Sequence, residues 1–117
     1  MRQLKPEEFP SLLREIMDPP EKLYIKGNYP SEDSKFLCVV GSRAASPYGK
    51  ETCEKLILGL RGYPVVIVSG LALGIDSIAH RAALEAGLTT IAIPGSGLGE
   101  KVLYPAAHKG LAKQILE

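Results

Sequence analysis

A chain of 117 residues is long enough for one domain around one core and short for more. Its hydrophobic share of 45% excludes a disordered chain, and no apolar stretch approaches the roughly 20 residues that a membrane span needs. The formal net charge is +1, with 6 basic against 7 acidic residues through Lys35 and 8 against 6 from Phe36 onward, so composition gives no electrostatic sign of a nucleic-acid partner.

The N-terminus, MRQLKPEEFP, carries acids and prolines where a secretion signal would carry an apolar run. With no membrane segment, a cytoplasmic location is expected. The two cysteines, Cys38 and Cys53, are isolated, which suits small core residues rather than a disulfide framework or a metal site. Residues 1–35 read as a lead-in. Phe9, Leu12, Leu13, Ile16 and Met17 fall at helical spacing, and Asp18-Pro19-Pro20 stops that helix. Leu23-Tyr24-Ile25 is a short strand candidate before a Gly27-Asn28 turn, and Tyr29 to Ser34 is polar loop.

From residue 36 to 117 the rhythm changes. Phe36 to Val40 is a continuous apolar run ending at Gly41, the pattern of a strand buried on both faces. Ser46-Pro47 opens a helix, Ser as N-cap and Pro at the first helical position, with Cys53, Leu56, Ile57 and Leu60 as its apolar stripe. Val65 to Val68 is the second buried strand. A helix from about Gly74 to Ala86 places Ile75, Ile78, Ala79, Ala82, Ala83 and Ala86 on one face, and Gly87 stops it. Thr89 to Ile93 is the third strand, and a last helix runs near Ala107 to Leu116. Strands alternating with helices in this way predict an α/β fold, a Rossmann-like parallel sheet in three layers wrapped by right-handed crossovers.

Three glycine-bearing loops follow the three strands: Gly41-Ser42-Arg43, Ser69 to Gly74, and Gly95-Ser96-Gly97. A parallel sheet puts all three at its carboxyl edge, where open α/β sheets bind ligands. Glycine lets a backbone approach a ligand, and free amides at a helix N-terminus favour an anion. For any one of these loops the ordinary strand-to-helix turn is the favoured reading; three together, one with an arginine, reverse that preference towards a phosphate site. On position alone, Arg43 suits either a bidentate phosphate clamp or a solvated surface arginine. Neither the Walker pattern nor the dinucleotide fingerprint is present, and the second strand ends in Ser69 rather than in an acid for a ribose. Asp76 and His80, one helical turn apart, read as a helix-terminal charge with a local partner ahead of an acid–base pair or half a metal site. No cofactor and no metal are expected.

These strings together resemble the DprA/Smf family. VVGSRAASPYG (39–49) is similar to its first strand and loop, VSGLALGIDSIAH (68–80) to its most recognisable segment, and TIAIPGSGLGEKVLYP (90–105) to its third strand and loop; DPPEKLYIKGN (18–28) is similar too. The resemblance implies the first half of that family's domain, in a bacterial protein that binds single-stranded DNA without catalysis. In the family such proteins protect DNA during uptake in natural transformation, hand it to the RecA recombinase and self-associate. It maps phosphate binding onto Gly41, Ser42 and Arg43 with Ser46 nearby, then Ser69, Gly70 and Gly74, with Gly95 and Gly97 along the same edge. A homodimer is expected also because a sheet that ends early leaves an unpaired edge. Family members continue past the position of Ile115 with further strands and often a winged-helix tail, whereas this sequence ends at Glu117, as a fragment or short paralogue would. Two other functions fit glycine loops. One is a Rossmann-like nucleoside-monophosphate hydrolase, which resembles this family but wants a P-G-G-x-G-T-x-x-E pattern that the third loop, Pro94 to Glu100, does not match. The other is a nucleotide-sensing domain.

Overall fold

The computed structural model describes residues 2–10, 13, 15–18, 20, 22–27, 30, 34–95, 98 and 109–116. Five strands and three α-helices lie among them: β1 (Arg2–Leu4), β2 (Leu23–Ile25), β3 (Lys35–Cys38), α1 (Pro47–Leu58), β4 (Val65–Ser69), α2 (Ile75–Glu85), β5 (Thr90–Ala92) and α3 (Lys109–Leu116). β1 and β2 form a separate antiparallel pair with Arg2 opposite Ile25. The other three strands make a parallel sheet in the order β3-β4-β5, with Lys35 opposite Val65 and Ile67 opposite Thr90. The α/β class and the parallel Rossmann-like sheet are therefore as the sequence predicts. No helix among the described residues is long and apolar enough to cross a membrane.

Each crossover steps one strand in the same direction, so right-handedness puts α1 and α2 on one face of the sheet. There they pack on each other, and α2 also packs on β4 and β5. Ala79, Ala82, Ala83 and Ala86 form the stripe that α2 buries, against Ile67, Cys53 and Ile57. Small side chains at these positions let helix and sheet approach closely. α1 starts where Ser46 Oγ accepts the Gly49 amide at 3.0 Å, with Pro47 in the first turn, so the expected cap and proline both hold. α2 ends before Gly87, whose φ of +74° is a left-handed conformation natural to glycine.

Four expectations need correction. The run Phe36–Val40 is not buried on both faces: among the described residues β3 is an edge strand, its four residues are exposed, and Val40 beyond it is 74% exposed. Cys38 on that strand is accordingly exposed, while Cys53 is buried as expected. On α1, Leu56 is 67% exposed although it shares the apolar stripe. In the lead-in, a 3-10 turn at Pro6–Glu8 precedes the expected helix, and Ile16 and Met17 are exposed; Leu12 lies outside the described residues. The strand β1 carries no alternating apolar signal, and its pairing with β2 is set by tertiary context. The expected start of the last helix at residues 107–108 lies outside the described residues.

Candidate functional site

The loops after β3 and β4, and the described start of the one after β5, lie at the carboxyl edge of the sheet, and the first two are braced against each other. The Ser42 carbonyl accepts the Ile75 amide at 3.1 Å, so the first amide of α2 is committed to the loop after β3. Gly74, at φ +80°, is where this contact forces glycine: a Cβ there would stand 2.2 Å from the Ser42 carbonyl oxygen. Gly41 is held as tightly, since its Cβ would meet the Ile75 side chain at 2.8 Å. These two glycines bring backbone against protein.

The second loop is filled in the same manner. Ser69 is buried, and its hydroxyl donates to the Val39 carbonyl at 2.5 Å, tying β4 to β3. The Gly70 amide donates to Asp76 Oδ2 at 3.0 Å, and a Cβ on Gly70 would meet that same oxygen at 2.8 Å. The buried Asp76 carboxylate thus occupies the place by the Gly70 amide that a phosphate would take, as an internal anion at the N-terminus of α2. Between them, Leu71 is fully buried at φ +62°, a costly conformation for a branched side chain, held by its surroundings.

The first loop remains open. Gly41, Ser42, Arg43 and Ser46 are all exposed. Ser42 Oγ accepts the Ala44 amide at 3.1 Å, closing a tight local turn. Among the described residues, the amides of Gly41, Ser42 and Arg43 donate to no acceptor, and the Arg43 guanidinium has no carboxylate partner. A cluster of donors and one positive charge therefore faces solvent beside the N-terminus of α1. Tyr48, 78% exposed in the first turn of that helix, is an aromatic neighbour that sequence reasoning passed over; nothing in its apolar or polar spacing marked it. At the third loop, Gly95 is exposed with open space where a Cβ would stand, and Gly97 lies outside the described residues.

Asp76 and His80 are not partnered with each other. Asp76 serves Gly70, and His80, fully buried, lies with Nδ1 2.7 Å from Thr90 Oγ1. The Thr90 hydroxyl donates its one proton to the Ile67 carbonyl at 2.9 Å. Nδ1 of His80 must then carry a proton and donate to Thr90. The pair is a buried cross-link between α2 and the sheet. Among the described residues, no group of histidine, cysteine and carboxylate side chains is placed to hold a metal ion.

A family model described as DNA recombination-mediator protein A matches residues 1–117. DNA processing protein DprA of Streptococcus pneumoniae is 49% identical over 107 residues, which are 92% of this chain but only 37% of that protein. The crystal structure of DprA from Streptococcus pneumoniae superposes with a TM-score of 0.82 at 43% identity, covering 97% of this chain and 40% of that one. A Helicobacter pylori DprA structure, described as giving insights into its single-stranded DNA binding mode, superposes with a TM-score of 0.83 at 31% identity over 99% of this chain and 51% of that one. With the whole length matched and the parallel sheet shared, the chain belongs to the DNA recombination-mediator protein A (DprA/Smf) family.

Proposed function

We propose that the chain binds phosphates of single-stranded DNA at the loop Gly41-Ser42-Arg43, flanked by Ser46, and performs no chemistry there. The observation that carries this reading is the contrast between the loops. At the second loop the Gly70 amide is taken by Asp76, whereas the amides of the first, with the Arg43 guanidinium, face solvent. Ser69, Gly70 and Gly74 then serve by bracing the open loop, and Gly95 lies along the same edge. Binding of single-stranded DNA by the Helicobacter pylori relative supports the choice of ligand. Phosphate recognition without base-reading groups gives little sequence preference and weakens with salt.

The chain spans well under half the length of the Streptococcus pneumoniae protein it matches. Self-association, delivery of DNA to RecA during cytoplasmic uptake and recombination, and service in natural transformation are accordingly proposals for the longer protein, supported by the resemblance. The test is a side-by-side titration with a labelled single-stranded oligonucleotide, its duplex and nucleoside monophosphates. Tighter binding of the single strand, falling with salt, is the expected result. Tighter binding of a monophosphate, or its hydrolysis, would replace the reading with a nucleotide sensor or a hydrolase.

A further inference from the structure

A phosphate site by itself does not tell a single strand from a duplex, because both present phosphates. What sets the single strand apart is an unpaired base with a free face. A preference for single strands therefore calls for a group beside the first loop that takes up such a face. Tyr24, Phe36, Tyr48 and Tyr63 are the exposed aromatic side chains among the described residues. Tyr24 lies on the separate β1–β2 pair, while Phe36, near the start of β3, and Tyr63, just before β4, sit towards the amino edge of the parallel sheet. Tyr48 is the exposed ring at the carboxyl edge, where the first loop is.

Its position is well defined. Tyr48 follows Pro47 in the first turn of α1, and the amide of the next residue, Gly49, donates to Ser46 Oγ at 3.0 Å. Helical side chains lean towards the N-terminus of their helix, so a ring in the first turn leans towards the loop that precedes it. The Ile75 side chain underlies both parts: a Cβ on Gly41 would meet it at 2.8 Å, and one on Gly49 would lie 3.8 Å from its Cδ1. Loop and first turn thus rest on one side chain and keep a fixed spacing. Tyr48 itself, 78% exposed, adds little to that packing. Val40, Gly49 and Ile75 continue the apolar surface beside the ring, and none of them has a side chain that could hydrogen-bond a base edge.

On the reading of the first loop as a phosphate site, we propose that Tyr48 is its base platform: a base next to the phosphate held at Gly41-Ser42-Arg43 stacks on the Tyr48 ring. The stack accepts any base, since every base has a π face and the surroundings read no edge. It gives the single strand its advantage over a duplex, whose bases would first have to be unpaired and unstacked.

Anisotropy titrations of the chain at fixed salt test this with a labelled single strand, a strand of equal length built from abasic nucleotides, and the duplex. Tyr48→Ala should weaken binding of the single strand about fivefold to a hundredfold. The abasic strand and the duplex should stay within about twofold of the parent, because their contacts are to phosphate. Tyr48→Phe keeps the ring and should bind like the parent, and both variants should melt close to it, as expected for an exposed side chain. Arg43→Ala should weaken all of these ligands, since the phosphate is common to them. Equal losses on the normal and abasic strands in Tyr48→Ala, or no loss on either, would overturn the platform and leave the phosphate site standing on the Arg43→Ala result. A loss in Tyr48→Phe as large as in Tyr48→Ala would overturn it too, the hydroxyl then being the contact. If Arg43→Ala changes no affinity, or the parent binds none of the ligands, the phosphate reading fails and the platform with it.

Discussion

Replacing Arg43 by alanine separates a ligand-binding arginine from a structural one. The residue is exposed and has no carboxylate partner among the described residues, so the folded chain loses little when the guanidinium goes. Surface changes of that kind usually stay within about 0.5 kcal/mol. A charge-assisted phosphate contact, by contrast, is worth about 1.5–3 kcal/mol, which is about tenfold to a hundredfold in affinity. The loss should be the same for every sequence, because a phosphate contact carries no base information. Counterion release adds a second signature: removing one contact to a single strand lowers the slope of log K against log salt by about 0.7. Arg43→Lys should recover part of the affinity, since an ammonium keeps the charge and loses the two-pronged geometry. The assay is fluorescence anisotropy with a labelled oligonucleotide at several salt concentrations, with thermal melts of each variant. Unchanged binding together with a clearly lowered melting temperature would make Arg43 a structural clamp and refute the site.

Gly74→Ala should do the opposite, destabilising by at least about 2 kcal/mol, through the φ of +80° and the Cβ only 2.2 Å from the Ser42 oxygen; a melt within a few degrees of the parent would show that the two loops are not braced. Thr90→Val keeps the shape but takes the acceptor from the His80 Nδ1 proton, while the Ile67 carbonyl keeps its place in the ladder with β5, and should cost on the order of 1–3 kcal/mol by denaturant titration. Burial, with a smaller contribution from Glu54, raises the Cys53 thiol above its ordinary pKa of 9.0. Its proton is therefore held more tightly in the folded chain, and the stability it contributes is complete below that value and declines as pH rises through it. Cys53→Ala should accordingly flatten the fall in stability above about pH 9, the ordinary thiol range, as read from melts across alkaline pH.

Much of the fold is legible because its signals are local. Ser46-Pro47 sets the start of α1 by chemistry within one turn, and the alanine spacing of α2 shows which face meets the sheet. What a sequence string does not carry is position within the sheet. Phe36–Val40 and Val65–Val68 are both apolar runs before a glycine or serine-glycine turn, yet among the described residues one is an edge and the other the centre. Only the number of neighbours decides that, and neighbours are a property of the assembled sheet. The glycine loops divide along the same line. Glycine at 41, 70 and 74 looks alike in sequence, but each is explained by a specific protein atom in the space a side chain would fill. The Asp76 carboxylate beside Gly70 shows why the second loop is not simply a copy of the first. Asp76 and His80 likewise share a helix spacing and find different partners, a loop amide for one and a strand hydroxyl for the other, which outcompete a neighbour on the same helix.

The hydrogen bond from the Ile75 amide to the Ser42 carbonyl gives the open loop a long-range origin. Its shape depends on a segment more than thirty residues further along, with β4 in between. A synthetic peptide ending at Leu60 would contain every atom of Gly41 to Ser46 and none of the support that holds them. Because closing so long a loop costs entropy before any contact repays it, the anion-facing turn should be acquired late in folding, together with the docking of α2, and should be among the first features lost when that helix loosens.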